Sequence, residues 1–142
     1  MSAFTDRLSH PPRMSALEPF ARETILNTRL AVLAERREVA VLPVLERRLG
    51  EAAMAARFLH LTQVVAAAWP ERFSLAPPCC PTLSPDEMLL AELAGAVAEG
   101  DAARFESAAR EMLAEDARRI LWQEMAVIAA ARRDSVRPRV QP

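Results

Sequence analysis

Five stretches of this chain repeat an apolar side chain every three or four residues, the spacing that puts them on one face of a helix. They are Ile25, Leu26, Leu30, Val32 and Leu33; Leu42, Leu45 and Leu49; Met54, Phe58, Leu61 and Val65; Leu90, Leu93 and Val97; and Phe105, Ala109, Leu113, Ala117, Ile120, Leu121 and Ile128. Composition points the same way. Hydrophobic residues make up 51% of the chain, largely alanine and leucine, with only 3 glycines, which suits helices and starves sheets. At 142 residues the chain is one domain, long enough to bury a core without metal or disulfide staples.

Start and stop signals divide it. Residues 1–14, with His10-Pro11-Pro12, read as a flexible arm, residues 15–133 as a single helical domain, and residues 134–142 as a disordered tail. The first helix takes Pro19 at its opening position and runs to about Arg37, with Ser15 and Glu18 allowing an earlier cap. A short second helix covers Val39 to Leu49, with Pro43 kinking or starting it and Gly50 ending it. The third spans Ala52 to Ala68 and stops before Trp69-Pro70. After an irregular stretch from Pro70 to Leu83, Ser84-Pro85-Asp86-Glu87 is a capping box with proline in the first turn, opening a fourth helix that ends at Gly100. A fifth runs from Asp101 as far as Arg133, roughly 45 Å at about 1.5 Å per residue. The expected fold is all-α, an irregular bundle of four to five helices.

Charge and residue type exclude several classes of function. The 18 basic residues are all arginine and face 19 acids, giving a net charge of −1. Such a chain lacks the broad positive field of a nucleic-acid binder. Without lysine there is no Schiff base and no P-loop, and acid–base work would rest on carboxylates and His60. Residues 1–20 lack the apolar core of a secretory signal, and the longest uncharged stretch, Phe58 to Pro70, is too short to cross a bilayer. A cytoplasmic setting with reduced thiols follows, and neither a membrane nor a nucleic-acid partner is expected.

Several groups stand out against the helical background. On the first helix Arg22, Arg29 and Arg36 fall inside the apolar arc, and on the last Asp116 and Glu124 do the same. Charges in a core-facing stripe are costly unless paired. Two readings follow: an internal ion pair joining Arg29 to Asp116 or Glu124, or a pocket where the arginines hold an anionic metabolite. The doublets Arg36-Arg37, Arg47-Arg48, Arg118-Arg119 and Arg132-Arg133 each lie beside acids and read as solvated faces with local pairs. Trp122 points away from the last helix's core arc, beside Ala126 and Ala129, and reads either as covered by another helix of the chain or as a contact surface, with a homodimer or another protein as partner.

Cys79 and Cys80 are the only thiols, set in Pro77-Pro78-Cys79-Cys80-Pro81. Adjacent Cα atoms lie about 3.8 Å apart, below the usual disulfide range of about 4.4–6.8 Å, so a bond between them would be strained. The pair reads either as a buried plug in a loop or as a two-thiol site for a soft metal or redox chemistry. A metal site would be completed by His60 or by a carboxylate, with Asp86 the freer acid if Glu87 serves the cap. Arg57 stands three residues before His60, so the Glu-x-x-His pattern of a di-iron bundle is absent.

Asn27-Thr28-Arg29-Leu30 with Arg36-Arg37, and Ala76-Pro77-Pro78-Cys79-Cys80-Pro81 with Ser84-x-Asp86-Glu87, resemble an uncharacterised family of small helical alphaproteobacterial proteins, a domain of unknown function. The matching blocks span roughly residues 27 to 93, with looser similarity in the last helix. In that family the cysteine segment often carries a third cysteine; Pro81 stands at the neighbouring position here and weakens a three-thiol site. The resemblance implies a bacterial cytoplasmic setting, supplies no activity, and picks out Arg29 and Cys79-Cys80. The reading that follows is a non-enzymatic helical interaction or regulatory module without a cofactor. Alternatives are a thiol-based metal or redox sensor and a carrier of an anionic metabolite.

Overall fold

The structure, a computed structural model, describes residues 12–136. A 3₁₀ turn at Met14–Ala16 leads into six helices: α1 Pro19–Arg36, α2 Val41–Leu49, α3 Ala52–Ala68, α4 Pro85–Glu99, α5 Ala102–Ala109 and α6 Glu115–Val136. The all-helical class is as expected, with one helix more than the four or five anticipated. Most of the expected arm and tail, residues 1–11 and 137–142, lies outside the described residues. Arg13, at the arm's end, forms an isolated antiparallel bridge with Thr82, and α6 continues past Arg133.

Local signals explain the helix ends. The Glu18 carboxylate accepts from the Phe20 and Ala21 amides and Pro19 opens α1, so its first turn leaves few donors orphaned. Gly50 and Gly100 close α2 and α4 at φ of 74° and 69°, where a side chain would be strained. The end of α1 is different. Glu38 amide donates to the Glu35 carbonyl and Val39 amide to the Ala34 carbonyl, a Schellman motif that holds Glu38 at φ 54°.

Apolar burial organises the bundle around α4. Residues 87–91 and 93–97 are all buried, so this helix is enclosed on nearly every side rather than along one stripe. Its most extensive packing is with α1, then with α5 and α6. The α2–α3 pair closes over the other side of α1, contributing Leu45, Met54, Phe58, Leu61 and Val65 to one continuous core. Leu42, expected on that face, stands 36% exposed. At the turn between α4 and α5, Arg104 makes a bidentate pair with Glu92 (2.7 and 3.1 Å) and reaches Glu99 (2.9 Å). Its guanidinium lies across Gly95, where a Cβ would sit 3.1 Å from Nη2.

The single long helix expected over 101–133 is broken at residues 110–114. Apolar residues there recur every four positions, at 105, 109, 113, 117, 121 and 125. Each such step overshoots a helical turn by about 40°, so a straight helix would turn residue 125 roughly 200° away from residue 105. The break resets the phase, and Phe105, Ala109, Leu113, Leu121 and Met125 are all buried. Arg118 staples it, donating to the Leu113 carbonyl (2.7 Å) and to Glu106 on α5 (3.0 Å). Ile120, read as core, is left 43% exposed.

Glu38→Gly should remove a left-handed penalty of about 1–2 kcal/mol while giving back about 0.4–1 kcal/mol of unfolded-chain entropy. We expect the urea midpoint to rise, by a net gain of about 0.5–1 kcal/mol. An unchanged or lower midpoint would contradict this account of the α1 end.

Candidate functional site

Arg29 is the largest of the fully buried side chains, 2% exposed, and its counter-ion is Glu87, 0% exposed. A guanidinium this deep survives only if its charge is matched and its donors are filled. Both conditions hold. Nε donates to Glu87 Oε2 (2.6 Å) and Nη2 to Glu87 Oε1 (2.9 Å), a fork-to-fork pair joining α1 to α4. Nη1 donates to the Cys80 carbonyl (2.8 Å) and Nη2 also to the Thr82 carbonyl (3.0 Å).

Glu87 serves the α4 cap as well as the ion pair. Its Oε1 accepts from the Ser84 amide (2.9 Å), while Ser84 Oγ accepts from the Glu87 amide (3.1 Å). A shell around this centre fixes the rest of the irregular segment. Asp86 accepts from Trp69 Nε1 (3.3 Å) and from the Ser74 amide (2.7 Å), and Ser84 Oγ donates to the Ser74 carbonyl (2.6 Å). The Pro81 carbonyl accepts from the Met14 amide (2.7 Å). The three successive carbonyls of residues 80–82 are therefore all held by groups outside the loop.

The thiols sit at the outer edge of this frame. A turn closed by the Cys80 amide on the Pro77 carbonyl (2.9 Å) presents Cys79 to solvent, while Cys80 is half-buried. Cys80 Sγ lies 3.5 Å from Thr82 Oγ1. Hydrogen bonding from Thr82, aided by the Arg29 charge, holds the Cys80 thiol below its ordinary pKa, against the opposing effects of burial and Glu87.

The expected site residues are redistributed by this geometry. The partner of Arg29 is Glu87, not Asp116 or Glu124: Asp116 is exposed beside Arg119 (3.6 Å), and Glu124 lies 3.5 Å from His60 of α3. Asp116 falls in the apolar arc only under the assumption of a continuous helix, whereas Glu124 sits at the edge of the buried face of α6, half-buried toward α3. Arg22 is half-buried and Arg36 exposed, so the three arginines do not form one anion pocket, and the donors of Arg29 are already committed. His60 is drawn to Glu124 rather than to the thiols, and among the described residues no three His, Cys, Asp or Glu side chains are gathered as for a metal ion. Asp86, read as the freer acid, is taken by Trp69 and Ser74.

Trp122 packs edge-on against Phe105 of α5 (5.2 Å), Ala129 is buried and Ala126 packs on the core. Part of the face read as a contact surface is therefore covered within the chain, Trp122 being half-buried against Phe105 of α5. The apolar surface that remains open lies further round α6. There α3 and α6 border a cleft of about 460 Å³ lined by Val64, Ala67, Ala68, Ala117 and Ile120, with His60 and Gln63 at its rim. No helix among the described residues is long and apolar enough to cross a membrane. Set against known proteins, the chain matches no family model, no curated protein and no solved structure.

Removing either partner of the central pair strands a buried charge, which costs about 3–5 kcal/mol. We expect Arg29→Ala and Glu87→Gln each to lower stability on that scale by chemical denaturation. Arg29→Lys should also destabilise, since an ammonium cannot span two carbonyls and a carboxylate. Arg29→Met with Glu87→Leu should recover part of the loss in the helices while loosening residues 80–82. An Arg29→Ala variant as stable as the parent would refute the assignment.

Proposed function

We propose that this protein is a non-enzymatic helical interaction module whose contact surface is the α3–α6 face. The observation that carries this reading is the cleft between those helices, lined mostly by apolar side chains and including Ile120, which is 43% exposed, with Val127 of the same helix 48% exposed. Exposed aliphatic side chains beside a groove of alanine and valine are the features on which helical partners dock. The chain's strongest polar constellation supports the same reading. Arg29, Glu87 and Asp86 are each engaged in holding a loop.

A photo-crosslinking side chain placed at Ile120, in the full chain in its native cells, tests this. We expect a discrete adduct, lost on Ala67→Glu and not formed from the same probe at exposed Arg47 on α2. No adduct, or equal adducts from both probe positions, would overturn the reading.

A second reading, thiol-based regulation, is favoured by the turn at Pro77–Cys80, which offers an exposed thiol beside one whose ionisation is eased. In that chemistry the Cys80 thiol loses its proton to solvent and the thiolate attacks one sulfur of a small disulfide. A mixed disulfide forms and the other half leaves as a thiolate. Because the Cys80 pKa is lowered, its reactive form persists to lower pH than that of an ordinary thiol. With each cysteine studied alone in a serine background, we expect Cys80 alkylation to reach half its maximal rate at a lower pH than Cys79. Thr82→Val should move the Cys80 midpoint upward. Coincident profiles would count against a special role for Cys80.

A further inference from the structure

Residues 12–17, ahead of α1, form a strap over the place where α1 meets α4. Its 3₁₀ turn sits shallowly, with Met14 half-buried and Ser15 and Ala16 exposed. Under the strap lies a cavity of about 260 Å³, bounded by Leu17 of the strap, Ala21 of α1, Leu83, and Met88 and Ala91 of α4. With the strap in place the last four are 6% exposed or less.

The strap is pinned at the thiol loop. Met14 amide donates to the Pro81 carbonyl at 2.7 Å, and Arg13 forms its antiparallel bridge with Thr82. Pro81 and Thr82 are the two residues after Cys80, and Thr82 Oγ1 lies 3.5 Å from the Cys80 sulfur. Thiol and strap therefore depend on the same short run of backbone.

We infer that this run is a thiol-operated latch: a mixed disulfide at Cys80 frees the strap and uncovers the cavity beneath it. This rests on the thiol-based reading above and names what that chemistry controls. The exchange needs only a small disulfide. One S–S bond of the reagent breaks, one forms on Cys80, and the departing thiolate takes up the proton that Cys80 gave to solvent. A substituent on the half-buried sulfur occupies space now taken by Thr82. The Cys80 backbone is held at both ends, its amide on the Pro77 carbonyl (2.9 Å) and its carbonyl by Arg29 Nη1 (2.8 Å). The displacement therefore falls on Thr82. Its carbonyl is held by Arg29 Nη2 through a charge-assisted bond, about twice as strong as a neutral one. The strap holds on through a neutral amide–carbonyl bond and a shallow turn, so it gives way first.

Hydrogen exchange at the Met14 amide of the full chain, followed by NMR, is the deciding measurement. In a Cys79→Ser background, capping Cys80 with oxidised glutathione should speed this exchange about 3–10-fold, the equivalent of one backbone hydrogen bond. A reducing agent should reverse the change, and the Leu121 and Met125 amides of α6 should keep their rates. Capping Cys79 in a Cys80→Ser background should leave Met14 unchanged, since Cys79 faces solvent. Coupling of this kind is reciprocal, so releasing the strap must favour capping. Met14→Pro removes the donor without touching the thiols, and Arg13 already has the extended backbone, ψ 149°, that a residue before proline needs. That variant should raise the equilibrium constant for Cys80–glutathione exchange by about the same 3–10-fold. An unchanged Met14 rate on capping, or a rise shared equally by Leu121 and Met125, overturns the inference. So does an exchange constant indifferent to Met14→Pro. If Cys80 accepts glutathione while Met14 is unmoved, the latch fails and the thiol reading stands. If Cys80 forms no mixed disulfide, both fail.

Discussion

A guanidinium and a carboxylate removed together from water set the terms for the rest of this molecule. Taking two ions into a protein interior carries a desolvation penalty of several kcal/mol per ion, offset only when geometry and hydrogen bonding are nearly complete. Arg29 and Glu87 meet that condition by drawing in their surroundings. The carboxylate needs the Ser84 amide, so the start of α4 is fixed; the guanidinium needs the carbonyls of Cys80 and Thr82, so the loop must come back over α1. A stretch with four prolines among residues 77–85 and no regular hydrogen bonding thereby acquires a definite path. The pair is best regarded as the organiser of a loop rather than a source of net stability.

Much of the secondary structure was legible because it rests on nearest-neighbour chemistry. Ala52–Ala68 is bounded by Trp69-Pro70, and the Ser84–Glu87 box is a local reciprocal hydrogen bond; neither needs tertiary information. The α5–α6 break was hidden because no proline or glycine marks it. Its cause is a phase error that builds up over twenty residues, visible only when the arc is followed around the helix rather than along the sequence. The same oversight placed Asp116 in the core, while Glu124 lies at the edge of the buried face of α6 and meets His60 rather than Arg29. Arg29 itself was legible as a charge in an apolar arc. Its partner was also visible, since Glu87 stands at the head of a helix apolar on almost all sides, but the cap seemed to account for it. One carboxylate doing two jobs is not separable in sequence from one doing a single job.

Polar chemistry in this fold turns inward and apolar surface turns outward. Thr24, Asn27, Thr28 and Arg29 are buried on α1, where Thr24 and Thr28 hydroxyls donate to carbonyls one turn back and Arg48 Nε donates to the Asn27 side-chain oxygen. Ile120, Val127, Val39 and Met112 meanwhile stand in solvent. A chain free to optimise its own solubility would exchange several of these. The thiol turn and the exposed Ile120 and Val127 of α6 also lie on different elements, the first held by α1 and α4. A covalent event at Cys80 acts first on the loop that Arg29 holds, which is tied to α4 through Glu87 and Asp86 and to the end of α3 through Trp69, and both helices pack on α6.

The enclosure of α4 has a consequence for how the protein is made. Synthesis proceeds from the N-terminus, and domains begin to fold while the ribosome is still adding residues. Once α4 has emerged from the ribosome, α1 to α3 can receive one side of it, whereas α5 and α6 follow it out. At about 5–20 residues per second, the remaining stretch to residue 136 takes roughly 2–7 s. Through that interval a helix with Met88, Leu89 and Leu90 on different sides has no cover for part of its surface, on a nascent chain crowded among others. Early docking through Arg29 would orient α4 but not sheath it. The timing of emergence, more than the final fold, is where this protein would make demands on a chaperone.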